Sequence, residues 1–183
     1  MGDNLVISTE KDIQNTFKKL LDKYEFNEID VNKICLSLNI KRQTFYYHFK
    51  NIYDVIFSIY CYQKIQEAYE NELNSIVRNI FTFLFSDQSF NLIIAKSNAN
   101  DVLNNFLANY IYNSMNKILD KYNLRINDKK DISRFFSKGL AEQCLYYFSQ
   151  NDYSINEATK RISYIFNEDV LKGIIRKYQN SVE

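Results

Sequence analysis

Proline is absent from this chain of 183 residues, and glycine occurs only as Gly2, Gly139 and Gly173. Tight hairpins and sandwich corners depend on those two residue types, which set or permit the backbone angles that sharp turns need. A chain almost without them reverses direction through short polar links between helices, so the expected fold class is all-α. The same scarcity excludes glycine-rich phosphate loops. Hydrophobic residues make up 46% of the chain, ample for a packed core and inconsistent with wholesale disorder.

Apolar residues recur at helical spacing along most of the sequence. Thr9-Glu10-Lys11-Asp12 resembles a capping box with Asp in the last place, and Ile13, Phe17, Leu20, Leu21 and Tyr24 follow it, predicting a first helix to about Tyr24. Asp30 is placed to cap a short second helix that carries Val31, Ile34, Cys35 and Leu38 inward. Asn39 falls where the chain must turn sharply, and asparagine tolerates left-handed backbone better than most residues. A third helix covers 41–49, and Asn51 caps a fourth that continues to about Tyr69. Further helices are expected over 73–85, 90–97, 101–122, 131–150 and 155–178, for about nine in all. Ser154-Ile155-Asn156-Glu157 forms a capping box at the start of the last.

Cys35, Cys61 and Cys144 each lie in an apolar-periodic run and are expected to be buried free thiols in a reducing compartment. No basic-then-apolar leader opens the chain, and no apolar run approaches the ~18 residues of a membrane span. Val6 stands where a myristoylation motif requires Ser or Thr. A cytoplasmic location is expected, without membrane attachment.

The net charge is only +1, so its distribution matters more than its size. From Cys35 to Asn51 the ionisable side chains are Lys41, Arg42, His48 and Lys50, besides Cys35 and two tyrosines, with no acidic residue among them. Phe45 and Phe49 are four apart and share one helix face. The other face then offers Arg42, Gln43, Tyr46 and Lys50, a set that neutralises phosphates and can read base edges in a major groove. Lys50 also precedes the start of the fourth helix, where free N–H groups attract phosphate. Two short helices separated by a turn at Asn39, backed by the first helix, are the helix-turn-helix arrangement. His48 is the single histidine, so no His-based triad, His-rich metal site or His–Cys dyad beyond that one residue can be assembled. No catalytic or metal-ligating set, and no cofactor, is assigned.

The span from Thr9 to Val55 resembles the DNA-binding domain of bacterial transcriptional regulators of the TetR/AcrR type, and Thr44-Phe45-Tyr46-Tyr47-His48-Phe49-Lys50 closely matches that family's signature. The resemblance implies that Arg42, Gln43 and Tyr46 face base edges, while Lys41, Thr44, Tyr47, His48 and Lys50 chiefly hold phosphates. It further implies that Phe45 and Phe49 lock the recognition helix onto Ile34 and Leu38. Family members usually carry Gly where Asn39 stands, often Ser or Thr at Lys41, and many carry Lys at Ile52, so the cap of the third helix is weaker here and one phosphate contact is missing. The division implied is a DNA-binding head over residues 1–50 and a ligand-binding and dimerisation body over 51–183. Such a protein binds a palindromic double-stranded operator as a homodimer and responds to a small-molecule or protein inducer. Most relatives repress, whereas a minority activate, sometimes with a protein co-activator.

The last two predicted helices have more apolar surface than one side needs. Ile132, Phe136, Leu140 and Tyr147 mark one stripe of the eighth helix, and Phe135, Gly139 and Tyr146 a neighbouring one. A second copy of the chain is the simplest cover for the surplus, with Gly139 as a point of close approach. Tyr60, Phe81, Phe106 and Tyr110 are candidates for lining a ligand pocket. The competing readings are a helical protein–protein interaction module whose basic patch meets no DNA, and an all-α enzyme, for which no grouping of reactive residues is found.

Overall fold

Without proline to interrupt them, the apolar-periodic segments run as helices, joined mostly by links of a few residues. The computed structural model describes residues 2–65, 73–150 and 152–180, with side chains from residue 9 onward. Among them are ten α-helices, a short 3-10 turn at Phe26–Glu28 and no strand: α1 (Gly2–Leu21), α2 (Val31–Leu38), α3 (Arg42–His48), α4 (Ile52–Gln63), α5 (Leu73–Ser86), α6 (Gln88–Lys96), α7 (Asn100–Leu119), α8 (Ile126–Gln150), α9 (Ile155–Ser163) and α10 (Glu168–Asn180). The fold is all-α, as its composition requires, and the count agrees with the expected nine or so. The additional helix arises because the segment from Ile155 is broken. At the break, the Asn167 amide donates to the carbonyls of Ser163 and Tyr164 at 3.3 and 3.1 Å, and its oxygen accepts the Val170 N–H at 3.0 Å. One side chain thus closes α9 and opens α10.

Helix boundaries differ from expectation where no local cap decides them. The Thr9 box lies inside α1, which begins at Gly2 because nothing between residues 3 and 9 forbids helix. The helix stops at Leu21, and Tyr24 lies beyond it, 42% exposed rather than inward. In α8 the first turn starts at Ile126, five residues before the expected start, where Arg125 grips Asp128 through two hydrogen bonds of 2.7 and 3.1 Å. The expected run of α4 to Tyr69 ends instead at Gln63, and its final part, 66–69, lies outside the described residues.

The chain forms two compact units. The first is Met1–Lys64 with Ile93–Leu103. Its core holds Ile13, Phe17, Phe26, Ile34, Phe45, Phe49, Val55 and Ile56, all buried. Phe17 meets Phe26 edge-on, with ring centres 6.4 Å apart, and Phe26 in turn meets Tyr53. Gln14 donates to the Ser58 hydroxyl at 2.8 Å, a polar tie between α1 and α4. The second unit is Ile65–Leu92 with Asn104–Glu183. Here α5 buries Ile76, Val77, Ile80, Phe81 and Leu84, and ring contacts link Phe85 to Phe148 and Phe83 to Phe106. In α8, Ile132, Phe136, Leu140, Cys144 and Phe148 point inward, and Phe136 packs on Phe166 at 5.1 Å.

Cys35 and Cys144 are buried free thiols, as expected, but Cys61 is exposed. It follows Tyr53 and Phe57 at four-residue intervals on the outer face of α4, so its apolar neighbours in sequence are not neighbours in the core.

The turn between α2 and α3 is closed by backbone geometry. Asn39 adopts φ 53° and ψ 43°, the left-handed region. Its N–H donates to the Leu36 carbonyl at 3.3 Å, and the Ile40 N–H donates to that of Cys35 at 3.0 Å, the paired bonds of a Schellman motif. Asn39→Ala should therefore lower stability by about 1 kcal/mol, and Asn39→Gly should leave it equal or slightly raised. Urea unfolding of the two variants checks this; equal midpoints for Ala and Asn would mean the turn tolerates another conformation.

Candidate nucleic-acid interface

Of the residues singled out between 39 and 51, those from Arg42 to His48 lie on the short helix α3, with Lys41 as its N-cap and Phe49 and Lys50 just beyond its end. Asp30 caps α2 by accepting the Lys33 N–H at 2.8 Å, and the Asn39 turn delivers the chain to Lys41, where α3 begins. The Lys41 side chain makes no capping hydrogen bond among the described residues, as its substitution for Ser or Thr implies. The helix ends when the Phe49 N–H closes on Phe45, and Asn51 then caps α4 by accepting the Asp54 N–H at 3.0 Å. Asp54 returns the contact by accepting the Lys50 N–H at 3.0 Å, fixing the corner between α3 and α4.

Across this segment the faces separate cleanly. Phe45 is fully buried and Phe49 nearly so, with ring centres 5.9 Å apart. Lys41, Arg42, Gln43, Tyr46, Tyr47 and Lys50 are exposed, and Thr44 and His48 are half-buried. Tyr47 is 76% exposed and holds His48 edge-on at 5.1 Å, so these two rings form a ledge outside the core. Arg42 donates from Nη2 to the Tyr46 hydroxyl at 3.1 Å. That hydrogen bond raises the guanidinium pKa further above its already high ordinary value, so the charge is permanent. Beneath it, burial pushes the Cys35 thiol up, against a smaller lowering by Arg42. Lys33 is half-buried with its ammonium 3.8 Å over the Tyr24 ring, a cation–π contact. Leu36, 81% exposed on α2, is not marked by the periodicity, although it lies off the Ile34–Leu38 face.

The second unit carries a different feature. An apolar groove of about 280 Å³ is lined by Phe135, Gly139, Leu140, Tyr147, Ile162 and Ile165 among others. Phe135 and Ile165 are 72% and 70% exposed, and Tyr146 and Tyr164 add more apolar surface. Around Gly139, a Cβ would meet nothing within 4 Å, so this stretch of α8 is open to an approaching surface. The four pocket candidates from sequence lie elsewhere. Tyr60 is buried in the first unit and Phe81 in the second, Phe106 stacks near Phe83 at 5.4 Å, and Tyr110 accepts a hydrogen bond from Asn79 at 3.3 Å.

By fold and surface, then, this is an all-helical chain with a helix-turn-helix unit whose third helix shows a basic, aromatic flank. The comparisons with known proteins bear on that class unevenly. The solved structure of a protein named "Dihydroxyacetone kinase operon activator DhaS" superposes with a TM-score of 0.57 at 18% identity, covering 94% of this chain and 97% of that one. At that identity the likeness is one of fold. A family model described as "Abscisic acid G-protein coupled receptor" matches residues 41–171, and by that sequence match the chain belongs to the family so described. The two findings disagree in what they suggest. Among the described residues no helix is long and apolar enough to cross a membrane. No curated protein matches the chain.

If Phe45 is the anchor and Tyr47 a surface ring, their truncations must differ. Phe45→Ala should cost about 3–5 kcal/mol, whereas Tyr47→Ala should stay within about 0.5 kcal/mol of the parent. Chemical denaturation of both variants measures this, and similar losses would mean that α3 is rotated from the placement described.

Proposed function

We propose that this protein is a homodimeric transcriptional regulator of the TetR/AcrR type, binding a palindromic DNA operator through α3. The carrying observation is the division of one seven-residue helix into a buried phenylalanine side and an exposed flank of Arg42, Gln43, Tyr46 and neighbouring cations. Arg42, Gln43 and Tyr46 face base edges; Lys41, Thr44, Tyr47, His48 and Lys50 hold the phosphates on either side. Residues 1–50 are the DNA-binding head, buttressed by α4, and 51–183 the ligand-binding and dimerisation body. The protein works in the cytoplasm, and an inducer that prefers a non-binding conformation releases it from DNA. Phe81, Phe106 and Tyr110, all in the second unit, are proposed to line the inducer pocket.

Dimerisation uses the apolar face of α8 and the following helices, with a second copy seated over Gly139. The exposed Phe135, Tyr146 and Ile165 support this reading, since a surface of that kind in water calls for a cover. The protein acts by binding rather than catalysis. Desolvation raises all three thiols above the ordinary cysteine value, which makes them poor nucleophiles. A second reading, activation instead of repression, is favoured by the structural neighbour, whose name is that of an operon activator.

Two measurements test the reading. Binding to duplex DNA from upstream of the protein's own gene, followed as salt is varied, should protect an inverted repeat, and Lys50→Ala should weaken binding to every sequence and reduce the salt slope by about one. Absence of any protected repeat, even at low salt, would count against regulation and favour an interaction module. Phe135→Glu should convert a dimer to a monomer in sedimentation velocity without lowering helix content; a persisting dimer would place the interface elsewhere.

A further inference from the structure

Arg42 and Tyr46 stand one helical turn apart on the exposed flank of α3, and their side chains are joined. The guanidinium donates to the tyrosine hydroxyl over 3.1 Å, and its carbon lies 5.8 Å from the centre of the ring. The ring in turn stands edge-on to Phe45, 5.6 Å away at 89°, and Phe45 is fully buried. A line of contact therefore runs from the core, through one aromatic ring, to an exposed cation. An unsupported arginine on a helix surface samples many rotamers and loses that freedom when it binds. Here the tyrosine restricts it beforehand.

The nature of the support matters as much as its presence. Among the described residues no carboxylate forms an ion pair with Arg42. A carboxylate would orient the guanidinium but cancel the charge that DNA attracts. A phenol orients it and leaves the full positive charge. One N–H of the guanidinium goes to Tyr46, and the remaining donors still include a parallel pair suited to O6 and N7 of guanine.

We propose that Arg42 and Tyr46 form one preorganised unit for reading a guanine in the major groove, with Tyr46 a positioning residue that acts through Arg42. This rests on the DNA-binding reading above. It departs from two independent base contacts, because the tyrosine hydroxyl contributes to recognition at the base that arginine touches, not at one of its own.

The test begins with the intact wild-type chain and a pool of duplexes carrying a randomised stretch. The duplex it selects is then titrated with wild type, Arg42→Ala, Tyr46→Phe and the double variant, alongside duplexes in which each G·C pair is replaced by A·T. Arg42→Ala should lose roughly tenfold of the preference at one guanine. Tyr46→Phe, which keeps the ring and its packing, should lose about threefold to tenfold of the preference at that same guanine. The double variant should lose no more than Arg42→Ala alone, the signature of coupled residues. Additive losses, or a Tyr46→Phe protein indistinguishable from wild type, would overturn the coupling and leave the DNA-binding reading standing. Failure of the wild type to select any duplex would overturn that reading, and this inference with it. Matching melting curves for all four proteins would keep a folding defect from being mistaken for either result.

Discussion

The burial of two phenylalanines one turn apart governs everything the first unit presents to its surroundings. Phe45 and Phe49 sit inside, in an interior shared with Ile34 of α2, and a seven-residue helix has no other means of holding its rotation. Once they are buried, the helical repeat sends positions 42, 43 and 46 outward together, whatever their chemistry, and the extended Phe49 leaves Lys50 exposed just beyond them. The sequence places cations, an amide and an aromatic ring there, and withholds acids from Cys35 to Asn51. Had Phe49 been polar, α3 could roll, and the same residues would present no defined surface.

Many of the helix starts are legible because their punctuation is local. Asp30, Asn51 and Ser154 each accept a backbone N–H three residues ahead, and a cap of that kind is decided by a few adjacent residues whatever the rest of the chain does. The left-handed Asn39 is legible for the same reason. What escapes is settled by contacts between distant segments or by side chains acting in unfamiliar ways. The exposure of Cys61 depends on which side of α4 meets α1, which the mixed apolar pattern of that helix leaves open. Asn167 divides α9 from α10 with both ends of its amide, a role that a search for helical periodicity passes over. The Arg42–Tyr46 bond needs the actual rotamers; spacing alone puts the two residues on one side without joining them. Aromatic residue type alone cannot distinguish a ring that fills the core from one that lines a space.

The acid-free basic stretch and the apolar groove lie in different units, though each unit exposes both apolar and charged side chains. The basic stretch lies within the first unit, while the broad exposed apolar face of Phe135, Tyr146 and Ile165 belongs to the second. A membrane receptor needs long apolar helices with their whole circumference in lipid. Here the long α8 instead alternates buried Ile132, Phe136 and Leu140 with charged Asp131, Arg134, Lys138 and Glu142. That pattern is a helix packed on one side and wet on much of the other, and it weighs against carrying the receptor description of the family match over to this fold.

Within the proposed function, the short α3 and the uncovered groove require each other. Seven residues rise about 10 Å, so a single helix spans less than a third of a ~34 Å turn of DNA. It reaches a few base edges at most, and the weak cap at Lys41 adds little rigidity to its start. One such helix would discriminate poorly against the excess of other sequences that the same cations attract. Joining two copies makes the second contact intramolecular, so affinity and specificity rise without any new side chain at the interface with DNA. The gain depends on a rigid junction between copies, and an apolar face opened by a glycine allows two helices to approach closely enough to supply one. In this proposal the small reader and the apolar face of α8 belong together, because a second copy seated over Gly139 would supply the discrimination that one seven-residue helix lacks.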